Sequence, residues 1–284
     1  MLRISMDAKA TVKVGPFARG GKSRILTKAA DHDFHPAATV TPVGIFLPAS
    51  DEFFLYGVTN PARTWYTPMG NDVGTKIGDF SASVPLFTLK NDYKKQASGV
   101  ILTTHGRIPC PGGVCGVTSK VTSDCLVDRL VDWWEEVKDR FSQIKTLVIN
   151  VDNGPENHSR RTQFMQRLVE FVQQYQIIIR LAYYPPYHSK YNPIERCWGI
   201  LEQHWNGSLL ESVNTVIQYA KTMTWKGKHP VVELVTTAYS TGVKLTKEAM
   251  DGVETQLQRL PTLEKWFVDI RYVPFQEIRT GHCL

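Results

Sequence analysis

The chain has 284 residues, of which 42% are hydrophobic and 21% are charged. This balance excludes an intrinsically disordered chain, and the length allows one large domain or two ordinary ones. No apolar run approaches the roughly 18 residues of a membrane helix, and Asp7 stands where a signal peptide would have its apolar core. Five cysteines, an odd and small number, argue against a disulfide framework. We therefore expect a cytoplasmic protein with no membrane partner.

Positive charge is concentrated at the N-terminus. The formal net charge is +6, and residues 1–30 carry this whole excess. Their only acid is Asp7, and their seven cations are Arg3, Lys9, Lys13, Arg19, Lys22, Arg24 and Lys28. Such a strip favours an anionic partner, most simply nucleic acid, although a solvated basic loop has the same composition.

The first half of the chain predicts antiparallel strands. Residues 3–7 alternate and predict a short strand that ends in an acid, and residues 12–14 either continue it or pair with it. Two apolar runs, 45–47 and 53–56, predict a β-hairpin with a longer loop. Residues 59–123 are rich in Gly, Pro, Ser and Thr without a sustained period, and we expect an irregular insertion there.

The second half predicts three amphipathic helices. Apolar residues recur at helical spacing in the segments 126–141, 164–175 and 194–205. Asp124 is a candidate cap for the first helix, and Pro193 suits the first turn of the third.

Two strands alternate with these helices. The apolar runs 145–151 and 177–182 are typical of strands that are buried on both faces. The resulting order predicts an α/β fold in which helices flank a mixed sheet. For residues 206–284 we expect a mainly helical C-terminal extension.

Three acids stand at the ends of predicted elements. Asp7 ends the first strand, Asp152 follows the first buried strand, and Glu195 lies at the start of the third helix. Sites in open α/β sheets form at the carboxyl ends of strands, and carboxylates gathered there repel one another unless a cation is bound. Oxygen-only ligation favours Mg²⁺ or Mn²⁺. Two such ions about 4 Å apart promote phosphoryl transfer.

Each acid also has an ordinary structural interpretation. An aspartate after a strand is a common turn residue, and a glutamate in the first turn of a helix is favoured by the helix dipole. Two other acids are rivals for the same roles. Glu156 is near Asp152 in sequence, and Glu202 lies on the same helical face as Glu195.

Several sequence blocks resemble the DDE transposases. Tyr184 to Trp198, which includes Asn192-Pro193-Ile194-Glu195, resembles the third-acid motif of these enzymes. Residues 151–154 and 4–9 are similar to the second-acid and first-acid motifs. Further blocks are most similar to the ISAzo-type insertion-sequence transposases; they are residues 15–22, 32–34, 152–160, 189–195, 205–207, 236–237 and 241–245.

This resemblance implies an RNase H-like fold with a mixed five-stranded sheet. It implies a catalytic, metal-binding triad of Asp7, Asp152 and Glu195 with two Mg²⁺ or Mn²⁺ ions. The activity expected is cleavage of transposon ends and transfer of the 3′ hydroxyl into target DNA. Double-stranded DNA is then the partner, a homodimer is allowed, and the protein would be nucleoid-associated. The catalytic core would span residues 1–205, with the extension over 206–284 packed on it.

The resemblance also has a departure. Met1 lies six residues before Asp7, so we expect no N-terminal helix-turn-helix that binds the element ends. This leaves a truncated reading frame, an excised catalytic domain, or recognition of the ends by another part of the protein.

Several residues are candidate DNA contacts. Tyr187 and Tyr191 are candidates for stacking on bases, although packing is the safer expectation. The candidate contacts to phosphates and substrate are Lys9, Lys13, Arg19, Lys22, Arg160, Arg161, His188 and Lys190.

Two alternatives to strand transfer remain. An RNase H-like nuclease would use the same acids without joining strands, and a non-catalytic remnant of a transposase would bind DNA only. A zinc site at His105, Cys110, Cys115 and Cys125 is disfavoured, because the spacing lacks the usual CxxC knuckle.

Overall fold

The computed structural model describes residues 1–17, 28, 30, 36, 38–60, 117–118, 120–185 and 187–272. The strands in these ranges are β1 (Leu2–Ala8), β2 (Val12–Val14), β3 (Ala38–Leu47), β4 (Glu52–Asn60), β5 (Val117–Thr118), β6 (Thr146–Val151), β7 (Ile178–Tyr183), β8 (Val231–Val235), β9 (Tyr239–Ser240), β10 (Leu257–Arg259) and β11 (Phe267–Ile270). The helices are α1 (Ser123–Val137), α2 (Thr162–Tyr175), α3 (Ile194–Trp205), α4 (Val213–Thr222) and α5 (Lys247–Glu254). Most of the expected insertion at 59–123 lies outside the described residues.

A mixed sheet forms the centre of the fold. Its strands follow the order β10-β11-β7-β6-β1-β3-β4-β8, and β2 also pairs with β3. Strands β1, β6 and β7 are parallel to one another, and β3 is antiparallel to both β1 and β4. The five strands from β7 to β4 are the expected mixed five-stranded sheet, so the predicted α/β, RNase H-like fold class is confirmed.

The C-terminal segment differs from the expected mainly helical extension. It contributes α4 and α5, but it also adds β8 beside β4 and places β11, with β10, beside β7. A fourth strand, β9, pairs with β5 in a separate two-stranded sheet. These strands have two to five residues, which is too few to show a period in the sequence. Those in the main sheet pair with strands that would otherwise be edge strands with unpaired N–H and C=O groups.

Strand β2 continues β1 along the same partner strand. Ala8 is opposite Val43 and Val12 is opposite Val40. The segment from β1 to β2 therefore has one residue more than the stretch of β3 that it faces. This extra residue is the mark of a β-bulge, which bends the strand just after Asp7. Of the two possibilities left open by the sequence, continuation is the one observed.

Helices cover both faces of the sheet. On one face α1 and α2 pack on apolar side chains of β1, β6 and β7, and on the other α3 and α4 pack on β3 and β4. The cap of α1 is Thr122, whose hydroxyl accepts a hydrogen bond from the Cys125 N–H. Asp124, the expected cap, is the second residue of the helix, and its carboxylate accepts hydrogen bonds from Gln163 and Arg167 of α2. In the described ranges no helix is long and apolar enough to cross a membrane.

Close packing of α3 requires a glycine on β3. An ideal Cβ at Gly44 would lie 2.6 Å from Cη2 of Trp198 and 2.9 Å from Cδ1 of Ile194. Trp198 is buried, with 3% of its surface exposed, so its indole has little room to move away. Gly44 is also the register partner of Asp7. The glycine therefore lets α3 approach the sheet beside the first acid.

We predict that Gly44→Ala lowers the free energy of unfolding by about 1–3 kcal/mol, because the methyl group forces the indole away from the sheet. Gly57→Ala is the matched control. Its Cβ would also meet a side chain at 2.5 Å, but the atom is the mobile Cδ1 of Ile217, which can turn away. Urea unfolding measures both variants, and equal losses would contradict the prediction.

Candidate active site

Asp7 and Asp152 lie side by side at the carboxyl ends of two parallel strands. Ser5 of β1 is opposite Asn150 of β6, and the two aspartates each come two residues later. Because side chains alternate along a strand, both carboxylates fall on the sheet face that α3 covers in part. Adjacent strands are about 4.8 Å apart, so the two side chains are near neighbours.

Asp7 is the most deeply set of the three acids. It is 9% exposed, and Oδ2 accepts a hydrogen bond of 2.9 Å from the indole N–H of Trp198. Burial, together with the charges of Asp152 and Glu195, raises the pKa of the Asp7 carboxyl to about 7. The bond from Trp198 acts in the opposite direction and favours the ionised form.

Glu195 reaches the same region from the first turn of α3. Burial raises its pKa, as does the charge of Asp152, while the nearby ammonium of Lys9 lowers it. Each of the three carboxylates therefore interacts electrostatically with the other two. Even so, the described part of the chain holds no group of three His, Cys, Asp or Glu side chains gathered closely enough to hold a metal ion.

The turn after β6 orients Asp152. The side-chain N–H of Asn157 donates to Asp152 Oδ1 at 2.7 Å. An ideal Cβ at Gly154 would lie 3.0 Å from Oδ2 of the aspartate, so a side chain there would crowd the carboxylate. Asn157 is itself buried, and its backbone carbonyl accepts a hydrogen bond from the Tyr183 hydroxyl.

The donor chemistry of this region fits a hard divalent cation. The three acids supply oxygen only, which is the ligand type of Mg²⁺ and Mn²⁺. Two buried oxygens beside them, Oγ of Ser5 and Oδ1 of Asn157, have no hydrogen-bond partner. Buried polar atoms are rarely left unpaired, so these atoms favour a bound water, ion or substrate group at this place.

The rival acids have cationic partners. Glu156 forms an ion pair with Arg161 at 3.1 Å, and Glu202 forms one with Lys9 at 3.0 Å. An acid that is already neutralised gains less from binding a metal ion. This favours Asp152 and Glu195 over their rivals.

The candidate DNA contacts fall into different environments. Arg160 is exposed on the loop after Asp152, whereas the guanidinium of Arg161 binds Ser123 and Glu156 within the fold. Lys9 is paired with Glu202, and Lys13 lies 5.2 Å from the ring centroid of Phe17. His188 and Lys190 are exposed on the loop before α3. Arg19 and Lys22 lie outside the described residues.

Two residues of the site do not follow from the sequence patterns above. Trp198 has the helical spacing of a packing residue, yet its N–H donates to Asp7; its position three residues after Glu195, almost one helical turn, is the one signal of this role. Asn157 was noted only within a motif, and its bond to Asp152 crosses a turn that no sequence period marks.

The cysteines add no metal site among the residues that are described. Cys125 and Cys197 are free and buried, and burial raises the pKa of their thiols to about 11 and about 12. Both are therefore protonated, unreactive thiols at neutral pH. The remaining members of the proposed zinc set, His105, Cys110 and Cys115, lie outside the described ranges.

Comparison with known proteins gives one match. Residues 86–272, more than half of the chain, match the family model described as the Rhodopirellula transposase DDE domain. The matched range includes Asp152 and Glu195 and begins after Asp7. No curated protein matches the chain, and no solved structure matches it.

We predict that Asp7 makes the metal-free protein less stable as the pH rises. Its pKa of about 7 in the folded state lies above the ordinary 3.8, so the folded chain holds a proton that the unfolded chain releases. Stability is therefore full below pH 4 and falls, by on the order of a few kcal/mol, as the pH rises to about 7. Thermal unfolding in EDTA measures it.

Asp7→Asn should remove this part of the pH dependence, because the amide does not titrate and its oxygen still accepts the bond from Trp198. Glu202→Gln, at a surface ion pair, should keep the wild-type dependence. Parallel curves of Tm against pH for the wild type and Asp7→Asn would show that Asp7 is not in the environment described.

Proposed function

Because the chain belongs to the Rhodopirellula transposase DDE domain family, we propose that it cuts DNA at transposon ends and joins the freed 3′ hydroxyl to target DNA. The observation that carries this proposal is the placement of Asp7 and Asp152 at equivalent positions of adjacent parallel strands, with Glu195 brought beside them by α3. This is the arrangement that gathers negative charge at one edge of a sheet. Such charge is useful to a protein that binds divalent cations.

Asp7, Asp152 and Glu195 are the residues that would hold two Mg²⁺ or Mn²⁺ ions. When bound, such ions lower the pKa of an attacking water and stabilise the negative charge of the leaving oxygen. DDE transposases generally use divalent metals, and the oxygen-only donor set and the two unpaired buried oxygens support this assignment here.

The protein's own groups prepare these carboxylates. Trp198 holds one oxygen of Asp7 and favours its ionised form, and Asn157 fixes one oxygen of Asp152. Lys9 lies close enough to Glu195 to lower its pKa, so it limits the repulsion between the acids.

The remaining parts of the proposal concern substrate and assembly. Double-stranded DNA is the substrate, bound through exposed cations near the acids such as Arg160 and Lys190, and this partner would place the protein at the nucleoid. Because an element has two ends, a homodimer would supply one site for each. We further propose residues 1–205 as the catalytic core, with 206–284 packed on it; the pairing of β8 with β4 and of β11 with β7 supports this packing.

We predict that Asp7→Asn, Asp152→Asn and Glu195→Gln each reduce Mg²⁺- or Mn²⁺-dependent cleavage by at least about a hundredfold, since each removes a proposed metal ligand. The assay follows nicking and joining of a plasmid that carries the DNA flanking the gene. Binding to a short duplex in EDTA should change less than threefold.

Glu202→Gln is the matched control, because it removes an acid from the same helix and should leave cleavage within a few-fold of the wild type. Loss of DNA binding together with cleavage would indicate that the acids maintain the fold. Cleavage without joining would support a nuclease.

We predict that Trp198→Phe moves the acidic limit of cleavage to higher pH. Phenylalanine keeps an aromatic ring in the packing but cannot donate to Asp7, so the pKa of Asp7 rises further. Cleavage should fall about tenfold at pH 6.5 and recover at pH 8.5. A loss that is equal at both pH values would mean that the indole acts only through packing.

A further inference from the structure

We propose that Tyr187 stacks on an unpaired nucleobase of the DNA strand that lies at the acidic site. This inference rests on the proposed function, because it assumes that DNA is bound there. It deepens that function by assigning a base-contacting side chain to the loop over residues 184–191, here called the tyrosine loop.

Tyr187 is almost completely exposed. The residue is 98% accessible, the highest value among the large exposed apolar residues of the described chain, and Tyr191 in the same loop is 62% accessible. The expectation that these tyrosines are packing residues is therefore wrong for Tyr187. A large flat ring held in water is unfavourable unless a partner covers it, and both faces of this ring are open.

The backbone of Tyr187 has an energetically unfavourable conformation. The N–H of His188 donates to the carbonyl of Pro185 at 3.0 Å and closes a four-residue turn with Tyr187 in third place. Tyr187 has φ of +65°, in the left-handed region where a turn of this kind usually has glycine. A bulky residue in this conformation is uncommon, and such residues are concentrated at functional sites.

The tyrosine loop is hydrogen-bonded at its start to the segment that carries Asp152, and its end leads into the helix that carries Glu195. At its start, the N–H of Tyr184 donates to the carbonyl of Val151, the residue before Asp152, at 3.1 Å. After its end, the N–H of Glu195 donates to the carbonyl of Asn192 at 3.0 Å. A strand whose phosphates reach the acids therefore passes beside this loop.

The surroundings of Tyr187 suit a nucleic acid strand. His188 stacks on Tyr191 with ring centroids 5.8 Å apart and an angle of 24°, and Lys190 lies 5.2 Å from the Tyr191 ring. These groups provide positive charge for phosphates and flat surfaces for bases, which is the usual composition of single-strand binding sites. The ring of Tyr187 offers a flat face that suits a base.

The occupant must be an unpaired base. Bases inside a duplex already stack on both neighbours and present no free face, whereas an unpaired base exposes its whole ring. Stacking on an aromatic side chain is tolerant of sequence, because every base has such a face. The loop would therefore distinguish single-stranded from paired DNA, and it would not distinguish one base from another.

The test compares single-stranded and duplex DNA of one mixed sequence, each fluorescently labelled, bound by the full chain in EDTA. We expect Tyr187→Gly to weaken single-strand binding about tenfold and duplex binding less than twofold. Glycine fits the positive φ better than tyrosine, so a folding defect is not expected from this variant. Tyr187→Phe should retain the wild-type affinity because the ring remains.

A second readout detects stacking directly. An oligonucleotide that contains 2-aminopurine should lose fluorescence on binding to the wild type and to Tyr187→Phe, but not on binding to Tyr187→Gly. Tyr272→Gly, which removes another exposed tyrosine, is the matched control and should behave as the wild type.

Three results would overturn the proposal: equal weakening of both DNA forms, the same behaviour of Tyr187→Phe and Tyr187→Gly, or no change in either variant. Because the assay needs neither metal nor cleavage, these results are independent of the test of the three acids. Cleavage that depends on the acids together with no effect at Tyr187 would leave the proposed function intact and remove this inference alone.

Discussion

The hydrogen bond from Trp198 to Asp7 joins the two parts of the molecule on which the candidate site depends. Asp7 lies on the central strand of the sheet, and Trp198 lies one turn after Glu195 on the helix that covers it. The same side chain packs edge-on against Phe53, with ring centroids 5.2 Å apart. The position of one acid relative to another is thus set by packing in the core, and the acids keep their relative positions only while the helix stays docked.

Burial and the crowding of negative charge raise the pKa of Asp7 in this arrangement. The loss of water around Asp7 and repulsion between carboxylates both oppose ionisation, and the hydrogen bonds from the Trp198 indole and the Ala8 backbone offset them only in part. Folding alone therefore brings the acids together but leaves the repulsion between their charges only partly offset. A cation that binds there would relieve the strain, which is why the electrostatics and the family membership point to the same chemistry.

Much of the fold could be predicted from periodicity. The runs that became β6 and β7 are apolar throughout, and α1, α2 and α3 show clear helical spacing, so burial on known faces determines them. Strands β8, β9, β10 and β11 could not be predicted, since a strand of two to five residues is decided by the edge that it joins. The same limit applies to the cap of α1, which is Thr122 and not Asp124, although aspartate is the more favoured cap residue.

The candidate site was predicted in part. The acids lie at the ends of recognisable elements, so Asp7, Asp152 and Glu195 could be named. The proximity of Asp7 to Asp152 follows from the register between parallel strands. The roles of Trp198 and Asn157 depend on contacts between distant segments or across a turn, which no local pattern records. Tyr187 has a positive φ, and the sequence gives no sign of it because tyrosine rarely adopts that conformation.

The contact between Gly44 and Trp198 also restricts how this chain can change by mutation. A larger residue at position 44 is tolerated only if a smaller one replaces the indole, and that replacement removes the donor to Asp7. Neither single step preserves both the packing and the hydrogen bond, so the two positions form an epistatic pair. Evolution or engineering of this core must therefore alter the sheet, the helix and the electrostatics of the acid together.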